Sequence, residues 1–182
     1  MKLKSKTYIT VFFILNLLSA CSYQTPNALN NITWHSLDEG IKRAAELNKK
    51  VFIYFRADWW HYCRKLDQVL ARQKVHNYLN ENFIAVKIDF DREKDIVHQF
   101  NVQGIPDIWF LDSKGEKLTR STGYVSEDIL IAMLKYISEE AFQKMGFKEF
   151  LQIKEWMRDC RKSGVAASYF VKAFIMRFFK FF

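Results

Sequence analysis

The run Val51-Phe52-Ile53-Tyr54-Phe55 places an apolar or aromatic side chain at every position. Successive residues of a strand point to opposite faces, so a strand with one face in water needs polar residues at alternate positions. This run has none, and it must be covered on both faces. Phe83-Ile84-Ala85-Val86-Lys87-Ile88-Asp89 reads as a second buried strand. Two such strands require a sheet with helices on both sides, an α/β class of fold.

Shorter patterns supply the other elements. Ile32 to Trp34 reads as a short first strand. Leu37, Ile41, Ala44, Ala45 and Leu47 recur at helical spacing, with Ser36 as N-cap and Glu39 completing a capping box. A helix opens near Trp59 or Trp60 and continues past Leu66, Val69 and Leu70. Ile96, Val97 and Phe100 mark a short helix, and Ile108 to Leu111 a strand. Asp112-Ser113-Lys114-Gly115 then turns the chain into a hairpin partner over Glu116 to Arg120. Ile129, Leu130, Met133, Leu134 and Ile137 line one face of a further helix capped by Ser126. The order mixes parallel and antiparallel strands.

At 182 residues and 49% hydrophobic composition, the chain has material for one core plus appendages. Six Gly and two Pro against 17 Phe exclude a disordered or Pro-rich chain, and three cysteines exclude a disulfide-stapled scaffold. The net charge of +8 is confined to the ends. Residues 1–20 carry +3, residues 161–182 carry +5, and the stretch 21–160 holds 20 basic against 20 acidic residues. A nucleic-acid surface needs clustered cations on the folded domain, so this distribution argues against nucleic acid and for ends that face a membrane.

Lys2, Lys4 and Lys6 precede an apolar run from Tyr8 to Leu18, too short to span a bilayer and laid out as an export signal. Leu18-Ser19-Ala20-Cys21 follows and resembles the lipobox of bacterial lipoproteins. That resemblance implies cleavage before Cys21, lipidation of its sulfur, and a mature protein held in the cell envelope facing the periplasm. Ser22 in second place favours the outer membrane over the inner. Residues 22–31 are uncharged and polar, and form a tether.

Two local sequences carry a second resemblance, over Trp34 to Ile137. Ala57-Asp58-Trp59-Trp60-His61-Tyr62-Cys63-Arg64-Lys65-Leu66 resembles the Ala-Asp-Trp-Cys-x-x-Cys-Lys segment of periplasmic thioredoxin-like domains. Val102-Gln103-Gly104-Ile105-Pro106, 43 residues beyond Cys63 and followed by a strand, resembles the same family's cis-proline loop. The resemblance implies a three-layer α/β/α sandwich with a central mixed sheet over residues 32–138, and a cis Ile105–Pro106 bond. It also implies a surface at Ile105 and Pro106 that holds an extended peptide.

The departures from the family bear on the chemistry. Trp60 stands where the attacking cysteine belongs, and Cys63 alone survives, at the resolving position. The position of the family's buried acid is occupied by Tyr54. Two-cysteine exchange has no partner thiol within the motif. One reading keeps redox chemistry: Cys63 exchanges as a single thiol or pairs with Cys160, with His61 and the helix N-terminus stabilising a thiolate. The other is a binding module, in which Trp59, Trp60, His61 and Tyr62 form an aromatic patch beside Pro106 that grips envelope proteins or extended peptides. Trp59 has a family counterpart and reads as partly core, whereas Trp60 reads as pointing outward. An open Trp60 indole supports binding, whereas one turned inward over Cys63 supports a sealed, structural relic. His35, His76 and His98 are scattered without ligand spacing, so no metal is expected, and no motif calls for a cofactor.

Residues 139–182 form a helical extension. Phe142, Met145, Phe150, Ile153, Trp156 and Met157 suit one or two helices packed on the domain, broken at Gly146. Over 165–182, Phe170, Phe174, Phe178 and Phe181 share a sector opposite Lys172, Arg177 and Lys180. That pattern fits an interfacial helix, a second anchor beside Cys21, and equally a helix buried on the domain or on a second copy.

Overall fold

The structure, a computed structural model, describes residues 31–162, with backbone alone for 160–162. Five strands form one mixed sheet: β1 (Trp34–His35), β2 (Lys50–Arg56), β3 (Phe83–Asp89), β4 (Asp107–Leu111) and β5 (Lys117–Thr122), in the order β1-β3-β2-β4-β5. β3 runs parallel to both β1 and β2, whereas β4 is antiparallel to β2 and β5. The helices are α1 (Leu37–Leu47), α2 (His61–Leu70), α3 (Gln73–Asn82), α4 (Lys94–Gln99), α5 (Glu127–Ser138) and α6 (Phe147–Lys162), with a 3₁₀ turn at Ala141–Gln143.

The uninterrupted apolar run of β2 is buried from Val51 to Phe55, and its alternate residues enter two separate cores. Phe52 and Tyr54 join Ala85, Ile108 and Phe110 beneath Leu66 and Val69 of α2, Leu79 of α3 and Leu130 and Leu134 of α5. Val51, Ile53 and Phe55 join Val86, Ile88 and Leu111 beneath Leu37 and Ala44 of α1 and Val97 of α4. α1 lies so close to β3 that a Cβ on Gly40 would collide with Cγ2 of Val86.

Three details differ from the sequence reading. Ser36 is the N-cap of α1 by backbone conformation, but no side-chain capping bond forms. Glu39 turns instead to His35 Nδ1 at 3.0 Å and to Arg43 at 4.0 Å, and these pairs take the carboxylate from the box. Second, the connection from α2 to β3 contains its own helix, α3. Arg72, with φ −65° and ψ 132°, breaks the run, and Val75 and Leu79 re-enter the core. Third, in the extension Phe150 is buried and Tyr136 packs on Phe147 and Phe150, yet Trp156 and Met157 are each 39% exposed. No helix among the described residues is long and apolar enough to cross a membrane. Cys21 and residues 165–182 lie outside the described residues.

Candidate functional site

The motif sits between β2 and α2, where a buried strand hands the chain to a helix. Trp60 is the N-cap residue, with extended backbone, and its carbonyl accepts the N–H groups of Cys63 at 3.0 Å and Arg64 at 3.2 Å. The Arg64 guanidinium reaches back to the carbonyls of Asp58 at 3.1 Å and Trp59 at 2.9 Å. Arg56 closes the base of the loop through Asp58 at 2.6 Å and Asp67 at 3.1 Å, and its hydrogen bond holds the Asp58 carboxyl below the usual carboxylate range. The segment is braced by fixed side chains on both flanks.

The two tryptophans are placed opposite to expectation. Trp59 is 61% exposed and donates from its indole Nε1 to Asp91 Oδ2 at 2.7 Å. Trp60 is half-buried, walled in by the rings of Trp59 at 5.6 Å, His61 at 5.0 Å and Tyr62 at 5.9 Å between centroids. As the N-cap, Trp60 has its main chain tied into the helix start, and its neighbours cover the ring. His61 and Tyr62 are exposed, with ring centroids 3.9 Å apart and planes tilted by 40°. The four aromatic residues therefore form one continuous patch.

Cys63 is 0% exposed. Burial pushes its thiol above the ordinary range, against the opposing effect of the nearby Ala57 backbone and Tyr54 hydroxyl. Tyr54 is equally buried and donates to the Cys63 carbonyl at 3.1 Å. Burial raises the Tyr54 phenol far above its usual value, so it stays protonated wherever a protein functions. The side chain of Cys160, on α6, lies outside the described residues.

The Ile105–Pro106 bond is cis, as the resemblance implied. Pro106 is buried and Ile105 half-buried, and the Pro106 carbonyl accepts the Gly123 N–H at 2.7 Å. Gly123 has φ +94°, a conformation that glycine adopts freely. That bond ties the proline loop to the β5–α5 loop and its exposed Tyr124, a residue the sequence reading passed over. Tyr124 and Tyr62 line one groove. A second cleft, of about 460 Å³, is lined by Trp34, Arg56, Asp67 and Lys87. The Lys87 ammonium lies 4.5 Å over the Trp34 ring, and burial lowers its pKa. No group of three or more potential metal ligands converges among the described residues.

Comparison with known proteins agrees with this geometry. The family described as Thioredoxin-like domain matches residues 37–138, more than half of the chain. The chain belongs to the thioredoxin-like family. Among relatives, the disulfide bond reductase DsbH of Chlamydia pneumoniae is 25% identical over 52% of this chain and 65% of its own length. The thiol:disulfide interchange protein DsbD of Colwellia psychrerythraea is 25% identical over 71% of this chain but 24% of its own. A protein disulfide-isomerase of barley is 30% identical over 45% of the chain and 16% of its own. The chain thus spans less than two thirds of the length of each of these relatives. Solved structures share the fold: a thioredoxin-fold protein of Helicobacter pylori has a TM-score of 0.57 at 16% identity, covering 61% of this chain and 87% of its own. The DsbH oxidoreductase has 0.53 at 21%, covering 63% and 89%.

Proposed function

We propose that this thioredoxin-like protein works in the thiol-disulfide and folding chemistry of the bacterial envelope by holding client segments non-covalently. Trp59, Trp60, His61 and Tyr62 contact the client together with the loop of Ile105 and cis-Pro106. The observation that carries this reading is the contrast within the motif. Cys63 is fully buried, with its thiol held protonated by burial, while Trp59 beside it opens 61% of its surface. A thiolate attacks only where solvent or substrate reaches it. Tryptophan and tyrosine, by contrast, bind through large apolar area and a polar tip without any reaction.

The second reading is monothiol exchange through Cys63. It is favoured by the polar surroundings of the thiol, where the Ala57 backbone and the Tyr54 hydroxyl both act to lower its pKa. Acid-trapped, differentially alkylated protein from its own membranes separates the two by mass spectrometry. Cys63 found free, and labelled only after denaturation, supports client holding. Cys63 found in a mixed disulfide, or bonded to Cys160, overturns it in favour of exchange.

Anchoring belongs to the same proposal. The export signal, the lipobox-like Leu18-Ser19-Ala20-Cys21 and Ser22 support a lipid tether at Cys21, in the outer membrane, with the basic aromatic segment 165–182 as a second contact. Cys21→Ser is expected to move the protein from the membrane to the soluble fraction. Retention in the membrane would show that the anchor lies elsewhere.

A further inference from the structure

α2 presents Tyr62, Lys65 and Val69 at helical spacing with Gln68 beside them, and Arg72 follows just past its end, at the junction with α3. With Tyr124 from the β5–α5 loop they line a groove of about 340 Å³. Its wall carries two cations and no carboxylate. The one acid of α2, Asp67, is turned to Arg56 at 3.1 Å. Glu127 and Asp128 follow Tyr124 closely in the chain, but neither lines the groove. Lys65 lies 5.5 Å over the Tyr62 ring. Among the described residues, neither Lys65 nor Arg72 joins any of the ion pairs formed by Arg56, Lys50 or Lys154. The groove is therefore positive inside a stretch of chain that is neutral as a whole.

We propose that this groove takes an extended, acidic segment of the client, its Asp or Glu side chains meeting Lys65 and Arg72 between the rings of Tyr62 and Tyr124. This rests on the client-holding reading and names the class of client. The two tyrosines, 41% and 45% exposed, provide the stacking walls, and the Gln68 amide is a neutral partner for a peptide main chain. The Gly123–Pro106 hydrogen bond ties the loop that carries Tyr124 to the proline loop. A phosphodiester backbone would need a wider basic field than two cations, and a lipid surface would need exposed aliphatic side chains, whereas Val69 is 8% exposed.

The test uses the full chain, purified with its lipid anchor in detergent, and fluorescence anisotropy with three labelled ten-residue peptides. The peptides share aromatic positions and differ only in carrying Glu, Gln or Lys between them. We expect the Glu peptide to bind about tenfold tighter than the Gln peptide at low salt, with the gap closing as salt rises. Lys65→Glu with Arg72→Glu should reverse the order toward the Lys peptide. Both side chains are exposed, and an unchanged circular dichroism melt confirms that this variant folds. Equal binding of all three peptides, weakened by Trp59→Ala but not by the charge reversal, overturns the acidic class and leaves client holding intact. No binding of any peptide overturns both. Capture by phosphatidylglycerol vesicles that the reversal abolishes, with no discrimination among peptides, assigns the groove to lipid and overturns the proposal.

Discussion

The Tyr54 hydroxyl donates to the main-chain carbonyl of Cys63 across 3.1 Å of buried interior. It ties the third residue of α2 to the central strand, from the position that the resemblance gives to the family's buried acid. The bond fixes the helix start and sets a phenol, not a carboxylate, at this place beside the thiol. Tyr54→Phe keeps the ring and removes the donor, and is expected to cost about 1 kcal/mol in urea denaturation. An unchanged midpoint would show that the bond contributes nothing net.

Trp60→Cys restores a pair of cysteines at the family spacing. We expect the new pair to form a disulfide but to reduce insulin slowly, because a phenol raised by burial cannot accept the proton of Cys63. The sign follows from that: the rate should climb with pH through the thiol range, since the phenol at position 54 stays neutral and takes no proton. A plateau at neutral pH, with full reductase activity, would show that position 54 does not limit the chemistry.

Asp107 follows cis-Pro106 and is 0% exposed. One carboxyl oxygen accepts from Thr122 Oγ1 at 3.1 Å and the other has no partner. Burial raises its pKa against the opposing effects of Thr122 and Arg120. The folded state therefore binds the proton more tightly than the unfolded chain. The linked stability is fully present below the unfolded value of about 3.9 and is lost as pH rises through the folded pKa. In that window Asp107→Asn should flatten the stability profile, whose slope from one proton is at most about 1.4 kcal/mol per pH unit. Identical profiles for the two proteins would refute the assignment.

Gly40→Ala places a methyl group against Cγ2 of Val86. Val86 is itself 0% exposed on β3, so its side chain has no room to yield. Overpacking of this kind costs about 1 to 3 kcal/mol, more than the helix propensity gained from alanine. A rise in thermal midpoint for Gly40→Ala would contradict the close approach of α1 to β3.

Local pattern alone determined the layered α/β architecture. The apolar run of β2 has no polar face, the helical spacings of α1, α2 and α5 define their buried sides, and each is a property of neighbours in the chain. The loss of the attacking cysteine at Trp60 and the survival of Cys63 are likewise plain in the sequence. Packing decided the rest. The burial of Cys63, the exposure of Trp59 in place of Trp60, and the burial of Asp107 depend on what distant strands and helices place over them. Tyr62 and Tyr124 belong to different loops and helices, and no periodicity relates them. Only the sheet, by setting α2 against the β5–α5 loop, brings the two rings and the two cations between them into one groove.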